Sequence, residues 1–145
     1  MPLKRHEILS VFYKNLPTYN PQKTKAPEHL IDKRKTINNS KTEADNTYKG
    51  LKPIRKKDDG LRYPITVQEF NSEWSKGMHP TQKPIELMEY LIKTYTNENE
   101  TILDFTMGSG STMVACRNLN RHGIGIEKEE KYFKIAQERI NSTLF

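Results

Sequence analysis

"LDFTMGSGST", Leu103 to Thr112, decides how the rest of the chain is read. An apolar strand runs into an aspartate, then into a loop with two glycines and four hydroxyls. "TILDF" has the length of a buried strand, and "STMVACRNLN" follows as a helix with Val114, Ala115 and Leu119 at its apolar positions. "HGIGIE" reads as a second strand. "EEKYFKIAQERI" reads as an amphipathic helix carrying Tyr132, Phe133, Ala136 and Ile140 on one side. Upstream, Pro84 suits the first turn of a helix in which Ile85, Met88, Leu91/Ile92 and Tyr95 recur at helical spacing. Helix, strand, helix, strand, helix is the pattern of a parallel α/β sheet.

The first half has another texture. "HEILSVFYK" (His6 to Lys14) alternates as a strand does, with Ile8, Ser10 and Phe12 on one face and Leu9, Val11 and Tyr13 on the other. Both faces are apolar enough to predict burial on both sides. From Asn15 to about Gly60 the chain is rich in Lys, Asn, Thr and Pro, and "NNSKTEADNTYKG" reads as loop. Residues 1–77 hold sixteen Lys/Arg against nine Asp/Glu, whereas residues 78–145 hold eight against nine. All of the chain's net charge of +6 therefore resides in the first half. Such a surface attracts polyanions in a salt-sensitive way, and a solvated charge run is the alternative.

Several classes are excluded or disfavoured. No apolar run approaches the roughly 20 residues of a membrane span, and no signal-peptide core opens the chain. Cys116 is the single cysteine and forms no internal disulfide. These features predict a soluble protein of the cytoplasm. His6, His29, His79 and His122 show no ligand spacing with Cys116, so no metal site is expected. Cys116 itself reads as a small core residue of its helix.

Ligands of such sheets bind beyond the carboxyl ends of the strands, where a glycine turn lets backbone come close. No lysine follows Gly110, which rules out a nucleoside-triphosphate loop. A nicotinamide dinucleotide loop needs a third small residue, but Met113 stands there, and Asp104 would repel a pyrophosphate. The same carboxylate suits an ammonium or sulfonium ligand. Glu127 ends the second strand 19 residues after Gly108, near the spacing at which an acid meets ribose hydroxyls. Strand-end acid, small loop and ribose acid together describe a site for S-adenosylmethionine.

At these residues the chain resembles S-adenosylmethionine-dependent DNA methyltransferases acting on the exocyclic amino groups of adenine or cytosine. It looks like their permuted branch, in which the cofactor half follows the catalytic half. "HPTQKP" (His79 to Pro84), "ILDFTMGSGST" and "GIGIEKEEKYFKIAQERI" carry the resemblance over about Met78 to Ile140, with a weaker match at "HEILSVFYK". The resemblance implies an incomplete Rossmann-like, S-adenosylmethionine-binding parallel sheet of the α/β class, with a long basic loop insertion. It implies that Thr81 and Lys83 lie near the methionine carboxylate and Asp104 near the amino group. Gly108, Ser109, Gly110 and Thr112 would follow the cofactor backbone, and Glu127 the ribose. Residues 1–77 would form a basic segment with one core strand and a DNA-contacting recognition loop, and residues 78–145 the cofactor half-domain.

Two departures stand out. The family's Asp-Pro-Phe before the loop is Asp104-Phe105-Thr106 here, which leaves open which residue packs on the cofactor. The family's Asp/Asn/Ser-Pro-Pro-aromatic motif orients the target amino group while the aromatic stacks on a flipped base. The eight prolines of this chain include no adjacent pair, and Asn20-Pro21-Gln22 lacks both the second proline and the aromatic. No catalytic residue is therefore assigned. The chain reads as a fragment of a methyltransferase acting on double-stranded DNA, or as one half of a split methyltransferase whose complementary chain carries the catalytic half. The alternative is a non-enzymatic DNA- or cofactor-binding remnant of the kind carried by phages and mobile elements. Tyr19, Tyr48, Tyr63, Phe70 and Trp74 lie among the basic residues and suit base stacking. Phe70 and Trp74, four apart, equally suit a buried helical edge.

Overall fold

The structure, a computed structural model, describes residues 7–31, 58–71 and 82–142. The chain divides into two units, Pro21–Gln68 and the remainder. In the smaller unit, β1 (Thr24–Lys25) pairs antiparallel with β2 (Leu61–Arg62), with Thr24 opposite Arg62. A single 3-10 turn, Glu28–Leu30, follows β1. Arg62 clamps this unit: its two terminal nitrogens reach Asp58 Oδ1 at 2.8 Å and Oδ2 at 2.9 Å, and Nη2 also reaches the Leu30 carbonyl at 2.9 Å. Two parallel charge-assisted bonds of this kind fix orientation as well as distance.

The larger unit holds a small parallel sheet flanked by helices, a partial Rossmann-like arrangement. Its elements run α1 (Ile85–Tyr95), β3 (Thr101–Asp104), α2 (Ser111–Asn118), β4 (His122–Gly125) and α3 (Glu130–Ser142). β3 and β4 pair in parallel from Thr101 opposite His122 to Asp104 opposite Gly125. The connection through α2 is the crossover that a parallel pair requires.

Two apolar clusters meet on α2. Toward α1, Ile92, Ala115 and Cys116 are buried with Ile85, Met88, Ile102 and Leu119 around them. Toward α3, Met107, Met113 and Ala136 are buried with Ile140 against them. Met113, too large for a close helix–strand contact at a dinucleotide loop, is accommodated by glycine on the facing strand. A Cβ on Gly123 would stand 2.8 Å from Met113 Sδ, and one on Gly125 would strike Met107 Sδ. The small residues that close packing demands have moved from helix to strand. Arg121 closes the far end of α1, donating from Nη2 to the Thr96 carbonyl at 3.1 Å. A cation there also opposes the negative end of the helix dipole.

The sequence predicts a buried strand over "HEILSVFYK", and the structure corrects this. Glu7 to Lys14 form no strand, and Ile8 and Phe12 are 83% and 91% exposed; His6 lies outside the described residues. Alternation makes a segment able to be a strand, but a neighbouring ladder of amides makes it one. Among the described residues β3 and β4 pair only with each other. Phe133, expected on the apolar side of α3, is 38% exposed. Leu103 and Ile124, register partners, are likewise exposed, together with Phe105 and Ile126 two residues further on. One face of the sheet is thus apolar and uncovered among the described residues. No helix among those residues is long and apolar enough to cross a membrane.

Candidate small-molecule site

The loop from β3 to α2 is held by its own chemistry. Asp104, the last residue of β3, accepts from the Thr106 amide at 3.0 Å through Oδ1, a turn that aspartate side chains favour. Its Oδ2 accepts from Thr112 Oγ1 at 2.6 Å, in the first turn of α2. The Met107 amide then donates to the Ile126 carbonyl at 3.0 Å, and the Gly108 amide to Glu127 Oε2 at 2.9 Å. The loop is therefore fastened to the end of β4 as well as to β3. Gly110 begins α2 at φ +79°, where a Cβ would stand 2.9 Å from the Cβ of Ala136. Glycine is needed there for the left-handed turn and for the approach of α3.

Beside this loop lies a cavity of about 250 Å³. Its lining includes Gln82, Lys83, Asp104, Thr106, Ser109 and Thr112, with Met88 and Met107 among the apolar contributors. Of the residues picked from sequence, Lys83, Asp104, Gly108, Ser109 and Thr112 line it together. Gly110 belongs to the same loop without lining the cavity. Glu127 also stands outside the lining, joined through Gly108, and its Oε1 accepts from the Glu129 amide at 2.9 Å. Thr81, with His79 and Pro80, lies outside the described residues. Lys83 Nζ pairs with Glu7 at 2.7 Å on an exposed surface.

The shifted loop motif has a clear outcome: Thr106 lines the cavity, while Phe105 is 71% exposed and does not. Sequence reading missed Gln82 and Arg139. Gln82 sits inside the quoted "HPTQKP" and accepts from Ser109 Oγ at 3.2 Å. Arg139 reaches the loop from α3, donating from Nη1 to the Ser109 carbonyl at 2.7 Å and to Ser111 Oγ at 3.4 Å. No local pattern announces a contact that joins residues 30 positions apart.

Cys116, on the inner face of α2, has its thiol pushed up chiefly by burial and further by the negative charge of Asp104, against a smaller effect of Arg121. It is a core thiol, not a nucleophile. Among the aromatics proposed for stacking, Phe70 packs edge-on against Tyr90 at 5.6 Å, and Tyr19 lies 6.2 Å from Tyr95. Lys23 Nζ stands 4.4 Å over the Tyr63 ring. Tyr48 and Trp74 lie outside the described residues.

Known proteins are similar to this chain in sequence. Type II methyltransferase M2.LlaDCHI of Lactococcus lactis subsp. cremoris is 46% identical over 76 residues, 52% of this chain and 28% of that protein. Type II methyltransferase M.HpaI of Haemophilus parainfluenzae is 45% identical over 83 residues, 54% of this chain and 26% of that protein. The chain thus spans about a quarter of the length of the curated relatives it matches. Among solved structures, the M1.HpyAVI–SAM complex is 54% identical, with a TM-score of 0.43 over 43% of this chain and 33% of that one. A family model for DNA methylases of the N6/N4 type matches residues 2–138. With that match covering nearly all of its length, the chain belongs to the N6/N4 DNA methylase family.

Proposed function

We propose that this chain forms the S-adenosylmethionine-binding part of a DNA methyltransferase that methylates the exocyclic amino group of adenine or cytosine in double-stranded DNA. The observation that carries the reading is the strand-end carboxylate of Asp104, anchored on a cavity whose lining also holds Gln82 and Lys83. An acid near cationic and amide donors suits the ammonium and carboxylate of an amino acid. At about 250 Å³ the cavity is below the roughly 300–1,000 Å³ of pockets for drug-sized ligands. It fits the amino-acid end, and the nucleoside then lies along the open loop toward Glu127. An ionised carboxylate accepts at about four lone-pair positions, so the Gly108 and Glu129 amides do not by themselves preclude ribose hydroxyls on Glu127.

S-adenosylmethionine, when bound, supplies an electrophilic methyl group on its sulfonium. The chain's own contribution is to bind and orient. Asp104 would hold the ammonium, Lys83 and Thr81 the carboxylate, and Gly108 to Thr112 the backbone of the ligand. Acceptors that orient a flipped base belong to the Asp/Asn/Ser-Pro-Pro-aromatic motif, which the sequence lacks. A second reading is a cofactor- or DNA-binding remnant. Met113 and Asp104 argue against a nicotinamide dehydrogenase.

Calorimetric titration with S-adenosylmethionine tests the site. Loss of a charged hydrogen-bond acceptor costs about 1.5–3 kcal/mol, so Glu127→Ala should weaken binding roughly 10- to 150-fold. Affinity unchanged by both Asp104→Ala and Glu127→Ala would remove the assignment. Tighter binding of NADH than of S-adenosylmethionine would favour the dehydrogenase.

A further inference from the structure

Arg139, Ser109 and Gln82 form a chain of hydrogen bonds from α3 to the cavity lining. Arg139 Nη1 donates to Ser109 Oγ at 2.9 Å and to the Ser109 carbonyl at 2.7 Å. A guanidinium has donors only, so Ser109 Oγ is the acceptor in the first contact. Its own hydrogen is directed elsewhere, and Gln82 Oε1 lies 3.2 Å away. A hydroxyl that donates to an amide oxygen fixes the sense of that amide, with the nitrogen end turned away from Ser109. Ser109 is only 3% exposed, so water competes little for the link.

We infer that Arg139 is a positioning residue which, through Ser109, sets the Gln82 amide so that its N–H end is offered to a carboxylate in the cavity. The inference rests on the reading of this cavity as the site for the amino-acid end of S-adenosylmethionine. An amide is a donor at one end and an acceptor at the other, and the wrong end would repel a carboxylate. Asp104 already supplies the acceptor for the ammonium. Arg139 thereby keeps the donor and acceptor walls of the cavity distinct without touching the ligand.

The test titrates wild-type protein and variants with S-adenosylmethionine and with its decarboxylated analogue, which keeps the ammonium, sulfonium and nucleoside. Wild type should prefer the carboxylate-bearing ligand. Arg139→Gln supplies an acceptor as well as a donor, and should reduce that preference by roughly 2- to 13-fold, the worth of one hydrogen bond. Affinity for the analogue should stay nearly constant. Ser109→Ala breaks the link at its middle while leaving Arg139 in place, and should lower the preference by a similar factor on top of any loss common to both ligands. Arg139→Lys keeps a donor-only group and should retain most of the preference. Equal weakening of both ligands in Arg139→Gln and Ser109→Ala would mean that these residues merely hold the loop, and overturns the inference. A preference undiminished in both variants, or lost equally in Arg139→Lys, overturns it as well. Failure of the wild type to bind either ligand overturns the cofactor reading itself, and this inference with it.

Discussion

Thr112 Oγ1 stands 2.6 Å from Asp104 Oδ2, and that contact joins the end of β3 to the first turn of α2. The distance is in the range of a charge-assisted O–H···O⁻ bond, so Thr112 anchors the carboxylate at the end of β3. Thr112→Val keeps the shape and removes the donor. It should weaken S-adenosylmethionine binding about 2- to 13-fold, less than Asp104→Ala, because the carboxylate stays but loses one anchor. Calorimetry of the two variants and their double mutant checks this. If the double mutant is as weak as the two losses multiplied, the residues act independently and the anchoring role fails.

Gly110 should tolerate no side chain. Gly110→Ala combines left-handed backbone, worth about 1–2 kcal/mol, with a Cβ 2.9 Å from that of Ala136. Overpacking adds about 1–3 kcal/mol, so a loss of roughly 2–5 kcal/mol in unfolding free energy is expected. Urea denaturation followed by circular dichroism measures it. A loss below 0.5 kcal/mol, on the order of an ordinary surface substitution, would show that α3 does not press on this turn.

Cys116 makes stability fall at alkaline pH. Its folded-state thiol is raised, mainly by burial, above the unfolded range of about 8.5. The folded state thus keeps its proton longer than the unfolded one. The stabilisation is full below that range and is lost as pH rises toward the folded value. Denaturant midpoints at pH 7 and at pH 9.5 should differ in that direction, and Cys116→Ala should shrink the difference. An Ellman-type reagent should react only as fast as the helix opens.

The excess positive charge of the first half should make DNA binding salt-sensitive. Replacing Arg55, Lys56 and Lys57 together by Gln should flatten the plot of log affinity against log salt, with little change in sequence preference. A wild-type slope in the triple variant would mark that run as bystander charge.

Methyl transfer should require a second polypeptide. Proximity of a donor without aligned acceptors forfeits most of the rate, since effective molarity depends on attack geometry. The purified chain should move no label from S-adenosylmethionine to mixed-sequence DNA. Addition of a chain carrying the Asp/Asn/Ser-Pro-Pro-aromatic motif should restore transfer. Robust activity of the chain alone would point to Asn20 and its neighbours.

The elements from Ile85 to Ser142 were legible because each carries its own period and its own punctuation. Pro84 opens α1 and Gly110 opens α2, and both act within a few residues of themselves. The Asp104 carboxylate was legible for the same reason, as a charged residue at the end of an apolar strand. "HEILSVFYK" was not, since its conformation depends on a neighbour rather than on its own alternation. Arg139 was invisible because its partners, Ser109 and Ser111, are brought to it only by the packing of α3 on α2. Thr106 took the place of Phe105 beside the cavity through the turn at Asp104, which a residue count alone does not resolve.

The sheet face at Leu103, Phe105, Ile124 and Ile126, uncovered among the described residues, has a cellular consequence. Contiguous apolar surface of this kind is what holdase chaperones and quality-control proteases survey for, and a transiently unfolded fraction is continuously triaged by them. A chain made without anything to cover this face would turn over quickly, whatever its affinity for a ligand. Its abundance in the cell would then track the supply of whatever shields those four side chains, so that gene dosage alone would not set it.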